Sequence, residues 1–246
     1  MKPFKFELCA FTIESCVTAQ KAGAARVELC DNPTEGGTTP SYGVIKQVRK
    51  LIDIDLFPII RPRSMNYFYT DNEWQSMLDD VAMCKNLGCD GISIGVQKKD
   101  GRVDGDKMAQ LVALAYPMQV TSNRVIDAAP DPFEALETLI AAGCHRVLTS
   151  GQASGASEGV QVLKKLVEQS AGRIIIMPGA GVNSKNITSL ATETKAYEFH
   201  ASARIKGPNP VTYQNPKVTD SGDLYIADYE EVKNMVDHLN RLSVDR

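Results

Sequence analysis

No CxxC pair occurs among the six cysteines of this 246-residue chain, Cys9, Cys16, Cys30, Cys84, Cys89 and Cys144. That spacing excludes a zinc ribbon and a thioredoxin-type redox motif, and leaves reduced thiols as the expectation. No stretch approaches the roughly 18 apolar residues that a membrane helix needs. The N-terminal stretch MKPFKFELCAFTIESC carries Glu7 and Glu14 where a secretory signal needs an unbroken apolar segment. The chain is therefore expected to be cytoplasmic, with no membrane partner. Like charges form no block and the net charge is −3, whereas a nucleic-acid surface needs a concentrated basic face. Histidine is scarce, at positions 145, 200 and 238 only. Few side chains are thus available for proton transfer near neutral pH.

What is present is a repeated phrase. AGAARVEL at 22–29, LGCDGISI at 87–94 and AGCHRVLT at 142–149 each close an amphipathic run with a glycine and then enter an apolar segment. Glycine just past a helix end takes the left-handed backbone of a C-cap, so each phrase predicts a helix-to-strand junction. Eight strand segments follow: FKFELC from Phe4, RVELC from Arg26, DLFPIIRPR from Asp55, GISIG from Gly91, QVTSN from Gln119, RVLTS from Arg146, RIIIM from Arg173 and AYEFHAS from Ala196. Most of the intervals between them can hold a helix. Eight βα units without a break in composition predict residues 1–246 as a single (β/α)8 TIM-barrel domain. A doubly wound open sheet competes, but its GxGxxG turn after the first strand is absent. Residues 204–227 are too polar and too rich in Pro and Asn for a helix, and predict a long loop or lid before the final one.

Several strands alternate in an unusual way. Strand side chains point to opposite faces in turn, and in a barrel one face meets the helices while the other lines the interior. That rule sends Lys5, Glu7 and Cys9 inward from the first strand and Arg26, Glu28 and Cys30 from the second. Arg61 and Arg63 follow from the third, and Glu198, His200 and Ser202 from the eighth. Buried charges persist only when paired or used. Glu7 and Glu28 could simply neutralise Arg61 and Arg63. A purely structural network, however, would more naturally occupy the closed bottom layer than the C-terminal strand ends, where barrel enzymes keep their chemistry. His200 is read as a proton carrier or hydrogen-bond donor on that face, His145 and His238 as scaffold or surface.

Two glycine-bearing turns complete the rim: LTSGQASGASEG, with Ser150, and MPGAGVNSKNI, with Gly179 and Gly181. Small residues let backbone N–H groups approach an anion, and Asn183-Ser184 is expected to cap a helix whose N-terminus favours negative charge. Together with Arg61, Arg63 and Arg124 this predicts a small anionic or polyhydroxy ligand.

The ordered segments RVELCDNPTEGGTTPSYG, IIRPR, DGRVD, RVLTSGQAS, RIIIMPGAGV and EFHASAR resemble the CutC copper homeostasis family, from about Glu7 to Arg204. The resemblance implies a TIM barrel, a cytoplasmic homodimer or larger homo-oligomer, and Cu(I) bound by thiolates at Cys9 and Cys30. Soft Cu(I) favours such ligands. Two departures stand out. Where family members usually carry RPRGG this chain has Ser64 and Met65 in place of the glycines, and where they carry TFHRAFD it has Asn123 in place of the histidine, keeping Arg124 and Asp127. Asparagine hydrogen-bonds but does not transfer protons at neutral pH.

Two functions are therefore expected. In the first, Cys9 and Cys30 handle Cu(I), aided by Met65, with no reaction catalysed. In the second, an enzyme uses Glu7 or Glu28 as base, His200 as acid and Asp127 beside Arg124. Arg61, Arg63, Asn123, Arg124, Ser150, Gly179, Gly181 and Ser202 would then hold a small anionic or sugar-like substrate.

Overall fold

The structure, a computed structural model, describes residues 3–213, 215, 217 and 222–244. Its first strands and helices are β1 (Lys5–Ala10), α1 (Ile13–Lys21), β2 (Arg26–Leu29), α2 (Tyr42–Leu51), β3 (Asp55–Pro58) and α3 (Asp71–Asn86). They continue as β4 (Gly91–Ile94), α4 (Gly105–Ala115), β5 (Gln119–Ser122), a 3-10 helix (Arg124–Ala128), α5 (Pro132–Ala141) and β6 (Arg146–Thr149). The chain closes with α6 (Val160–Ser170), β7 (Ile175–Pro178), α7 (Ile187–Thr194), β8 (Glu198–Ala201), β9 (Arg204–Lys206), β10 (Tyr225–Ala227) and α8 (Tyr229–Val244).

Local chemistry explains the alternation of elements. Thr12, Ser41, Thr70, Asp104 and Asp131 each accept a backbone N–H at the start of a helix. Thr70 and Glu73 close a reciprocal capping box. In the three repeated phrases Gly23, Gly88 and Gly143 stand at φ +88, +74 and +83, which turns each helix into the next strand without a Cβ clash.

The strands pair in parallel in the orders β3-β2-β1-β8 and β4-β5-β6-β7. A bridge between Ile59 and Ser93 joins β3 to β4, and β7 lies beside β8. Pairing of β8 with β1, the Ile59–Ser93 bridge and the adjacency of β7 to β8 give the strands the cyclic order of a (β/α)8 barrel, with no ladder between β7 and β8 among the described residues. Val27, Leu29, Leu8 and Phe199 face outward into a core shared with Ile45, Val48, Leu163 and Val232 of the helices.

Four details differ from the sequence expectation. Strand β7 starts at Ile175; Arg173 lies in the preceding turn and pairs with Glu137 at 2.8 Å. Strand β8 starts at Glu198 rather than Ala196. Helix α7 starts at Ile187, not at Asn183-Ser184; the Ser184 backbone N–H and hydroxyl bind Glu231 at 2.7 and 2.8 Å. The ends of the expected 204–227 loop form an antiparallel ribbon, β9 with β10; positions 214, 216 and 218–221 of that loop lie outside the described residues.

Candidate functional site

The lower interior layer is a closed ionic network. Arg26 reaches from β2 across the barrel, with Nε donating to Glu7 of β1 and Nη2 to Glu198 of β8 at 2.6 Å, and Nη2 stands 3.4 Å from Met177 Sδ of β7. Arg146 of β6 donates from Nε to the same Glu198 oxygen at 3.0 Å and from Nη2 to Gln119 at 3.0 Å. The Phe57 ring lies 5.0 and 5.3 Å from the two guanidinium carbons. Burial alone would raise both carboxyls. The charges and hydrogen bonds of Arg26 and His200 together outweigh it and hold Glu7 down at about 2. Glu198 is lowered against its own burial by Arg26 and Arg146. The pairing of Glu7 and Glu28 with Arg61 and Arg63 expected from sequence does not occur: the partners of Glu7 are Arg26 and His200.

One residue pair higher on the same strands the character changes. His200 places Nδ1 2.7 Å from Glu7 Oε1 and Nε2 3.7 Å from Glu28 Oε2. Burial opposes its charge, but hydrogen bonding to Cys9 and Glu7 and the two carboxylate charges raise its pKa well above 6.5. An imidazolium donates at both nitrogens, so Nδ1–H bonds Glu7. Cys30 Sγ donates to Glu28 Oε2 at 3.5 Å and lies 3.7 Å from Cys9 Sγ. Hydrogen bonding with Cys30 lowers the Cys9 thiol, against burial and with help from His200. Burial, then Cys9 and Glu28, push Cys30 up. Cys9, Glu28 and Cys30 bring one ligand atom each within 4.8 Å of one another, the one such group among the described residues. Cys16, Cys84, Cys89 and Cys144 are buried in the apolar core instead.

Above this group opens a cleft of about 610 Å³. Cys9, Glu28 and His200 contribute to its lining, as do Arg61, Asn123, Arg124, Asp127, Gly181 and Ser202. Others of the expected residues lie elsewhere. Glu7 sits below, in the ionic layer. Arg63 turns away to Glu73 at 2.6 Å and packs over the Tyr69 ring, beyond the ladder of β3, so it forms no pair with Arg61 in the cleft. Ser150 is fully buried and orients Arg124 Nη2 at 2.9 Å, not a ligand. Gly179 packs against Leu148 and His200, and a Cβ there would clash with Leu148. Asp127 is fully engaged by Arg124 Nε at 2.8 Å, Thr149 Oγ1 at 2.6 Å and the N–H groups of Ser150 and Gln152. It anchors the turn after β6. His145 Nδ1 accepts from Val120 N at 3.1 Å and His238 Nδ1 donates to Ser184 O at 3.0 Å, both in scaffold positions.

Sequence reasoning passed over Arg146, although the repeat held the signal: AGCHRVLT puts Arg146 where AGAARVEL puts Arg26. It also passed over Tyr67 and Arg204, which close the cleft sides. Arg61 stacks over Tyr67 at 5.0 Å, and Arg204 donates to Pro33 O at 2.5 Å across Phe11. Tyr67 lies in an irregular segment and Arg204 opens the short ribbon strand β9, outside the alternating barrel ladder.

Residues 4–205 match the model of the CutC family. The chain belongs to the CutC family. It is 49% identical over 208 residues to a family protein CutC of Chromobacterium violaceum, covering 85% of this chain and 84% of that one. It is 40% identical over 226 residues to the human copper homeostasis protein cutC homolog, covering 92% and 83%. The crystal structure of a copper homeostasis protein CutC from Streptococcus agalactiae superposes with a TM-score of 0.77 at 32% identity, over 81% of this chain and 98% of the other. Within this CutC barrel the two sequence departures have visible consequences. Met65 holds φ +82, a conformation suited to glycine, and the residue is 86% exposed. Asn123 caps the 3-10 helix, its Oδ1 accepting from Val125 N at 3.1 Å, while its buried Nδ2 has no partner among the described residues.

Proposed function

We propose that this protein binds Cu(I) as cargo between Cys9 and Cys30. The observation that carries this reading is the 3.7 Å separation of the two sulfurs, with Cys9 lining the open cleft and Cys30 buried behind it. Metal–thiolate bonds are roughly 2.3 Å long, so two sulfurs on one ion stand at most about 4.6 Å apart. Thiolates are the donors a soft ion selects, whereas the Glu28 carboxylate is a hard one. Glu28 is better suited to orient Cys30 and His200. The lowered Cys9 thiol releases its proton the more readily. One Cu(I) on two thiolates carries a net negative charge, which the His200 imidazolium offsets. Membership of the CutC family supports the same reading. A competition titration with a Cu(I) chelator tests it: Cys9→Ser/Cys30→Ser should weaken binding by about a hundredfold or more, equivalent to roughly 2.7 kcal/mol. Unchanged affinity in a folded double variant rejects these ligands.

The reading includes a cytoplasmic setting and self-association, supported by the family resemblance and by six cysteines with no disulfide in the structure. Sizing chromatography tests the second part.

A second reading, an enzyme acting on a small molecule with Glu28 and His200 as base and acid, is favoured by the cleft volume. It lies in the range of about 300–1,000 Å³ typical of small-molecule sites and far exceeds what one ion needs. Turnover lost in Glu28→Gln but retained in the double serine variant would put this reading ahead of copper.

A further inference from the structure

We propose that the upper wall of the cleft, formed by Arg124, Asn123 and Arg61, is a seat for a small organic oxyanion, a carboxylate or phosphate group. Three observations converge. Arg61 and Asn123 both line the cleft and are only 4% and 3% exposed, and Asn123 carries a buried donor, Nδ2, without a partner among the described residues. Buried polar groups are nearly always hydrogen-bonded, and an unmet donor costs about 1–3 kcal/mol. The Tyr69 hydroxyl hydrogen-bonds the Arg61 side chain, so Asn123 Nδ2 is the donor on this wall that points to a missing acceptor.

Arg124 supplies the charge. Its Nε and Nη2 are held by Asp127 and Ser150, which fixes the plane of the guanidinium. Its Nη1 has no partner among the described residues, and the side chain is 41% exposed. A guanidinium pre-oriented this way binds a two-oxygen anion without losing rotamer freedom on association.

Tyr67 shows that the wall is compact. Its ring lies against Arg61, and burial raises its phenol, with Arg61 and Arg124 pulling it down and Asp127 and Glu28 pushing it up. Both cations and both carboxylates of the cleft therefore act on one ring. The charge balance agrees: Arg124 pairs with Asp127, which leaves Arg61 and Arg204 in the cleft lining against the single carboxylate Glu28. The unmet groups on this wall are N–H donors, while the one unmet carboxylate oxygen in the cleft lining, Glu28 Oε1, belongs to the floor beside Cys30 and His200. A carboxylate or phosphate, which only accepts, complements them better than a neutral polyol. The N-terminus of α7 plays no part, since the helix starts at Ile187.

This seat is independent of the copper reading, and its test uses metal-free protein with the thiols kept reduced. Melting temperature is followed against inorganic phosphate, malonate and, at matched ionic strength, chloride. A ligand selective for the folded state raises it saturably. We expect such a rise with phosphate or malonate and none with chloride; the active anion identifies the class as phosphoryl or carboxylate. Arg124→Met should weaken the effect about tenfold or more while Cu(I) affinity stays unchanged. Because Arg124→Met also frees Asp127, Asn123→Asp provides a second variant. It keeps the oxygen that caps the 3-10 helix and replaces the donor by a repelling carboxylate, so it should abolish the shift. No saturable rise with either anion, or an undiminished rise in both folded variants, overturns the proposal. Loss of Cu(I) binding in the serine double variant with the anion shift intact would show the two sites failing separately.

Discussion

Two layers of the barrel interior, one residue pair apart on the same strands, were built by one sequence rule and behave differently. Glu7, Arg26, Arg146 and Glu198 below pair two cations with two anions and leave one buried donor, Arg146 Nη1, without a partner among the described residues. Directly above, Glu28 Oε1 and Asn123 Nδ2 have no partners among the described residues. A buried charge that meets its complement gives a rigid layer; groups left unmet at an open end give a place for a ligand. Polarity inside a barrel therefore does not mark a site by itself. Satisfaction does.

The largest test of this contrast removes one lower cation. Arg26→Met leaves Glu7 and Glu198 without their shared partner in a region 1–3% exposed, and should destabilise the fold by about 3–5 kcal/mol. Cys30→Ser in the upper layer should cost about 1 kcal/mol or less. Urea unfolding measures both, and equal losses would erase the distinction between layers.

Acid titration should produce a smaller but directional effect. The Glu7 carboxyl lies at about 2 instead of 4.5. A lowered pKa contributes stability that is complete above 4.5 and is lost as pH falls toward about 2. His200 has the opposite sign. Its raised pKa contributes stability that is complete below 6.5 and is lost as pH rises through the higher folded value. Urea midpoints should therefore fall on both sides of a mildly acidic plateau. Glu7→Gln should flatten the acid side, with Glu198 retaining part of it. An unaltered acid limb in that variant would show that the lower layer does not set acid stability.

The smallest effect concerns the rim. Met65→Gly relieves a backbone at φ +82, worth about 1 kcal/mol, while the freer unfolded chain takes back roughly half. A gain of about 0.5 kcal/mol in thermal unfolding is expected. A loss would mean that the exposed methionine makes contacts that outweigh the strain.

Much of the site was legible because alternation is local. Glu7, Cys9, Arg26, Glu28, Cys30, Glu198 and His200 all lie on or next to ladder-paired strands, where a period of two fixes the face. Legibility ended where pairing ended. Strand β3 has its last named ladder pair at Pro58 and a single bridge at Ile59. Beyond it the backbone N–H of Arg61 turns to Thr39 and Arg63 swings out to Glu73. Extending the alternation to Arg63 had no physical basis.

By itself, then, the sequence determined the βα alternation, the helix boundaries set by caps and glycines, and the inward set of polar residues, because each depends on neighbours a few positions away. Which carboxylate meets which guanidinium was decided by tertiary structure alone. Arg26 satisfies Glu7 and Glu198, and leaves Glu28 free for Cys30 and His200, because the register of β1 with β2 and β8 and the curvature of the barrel bring β2 within reach of β7 and β8 across the interior. Electrostatic pairing follows distance in space, and that distance exists only once the strands have closed into a ring.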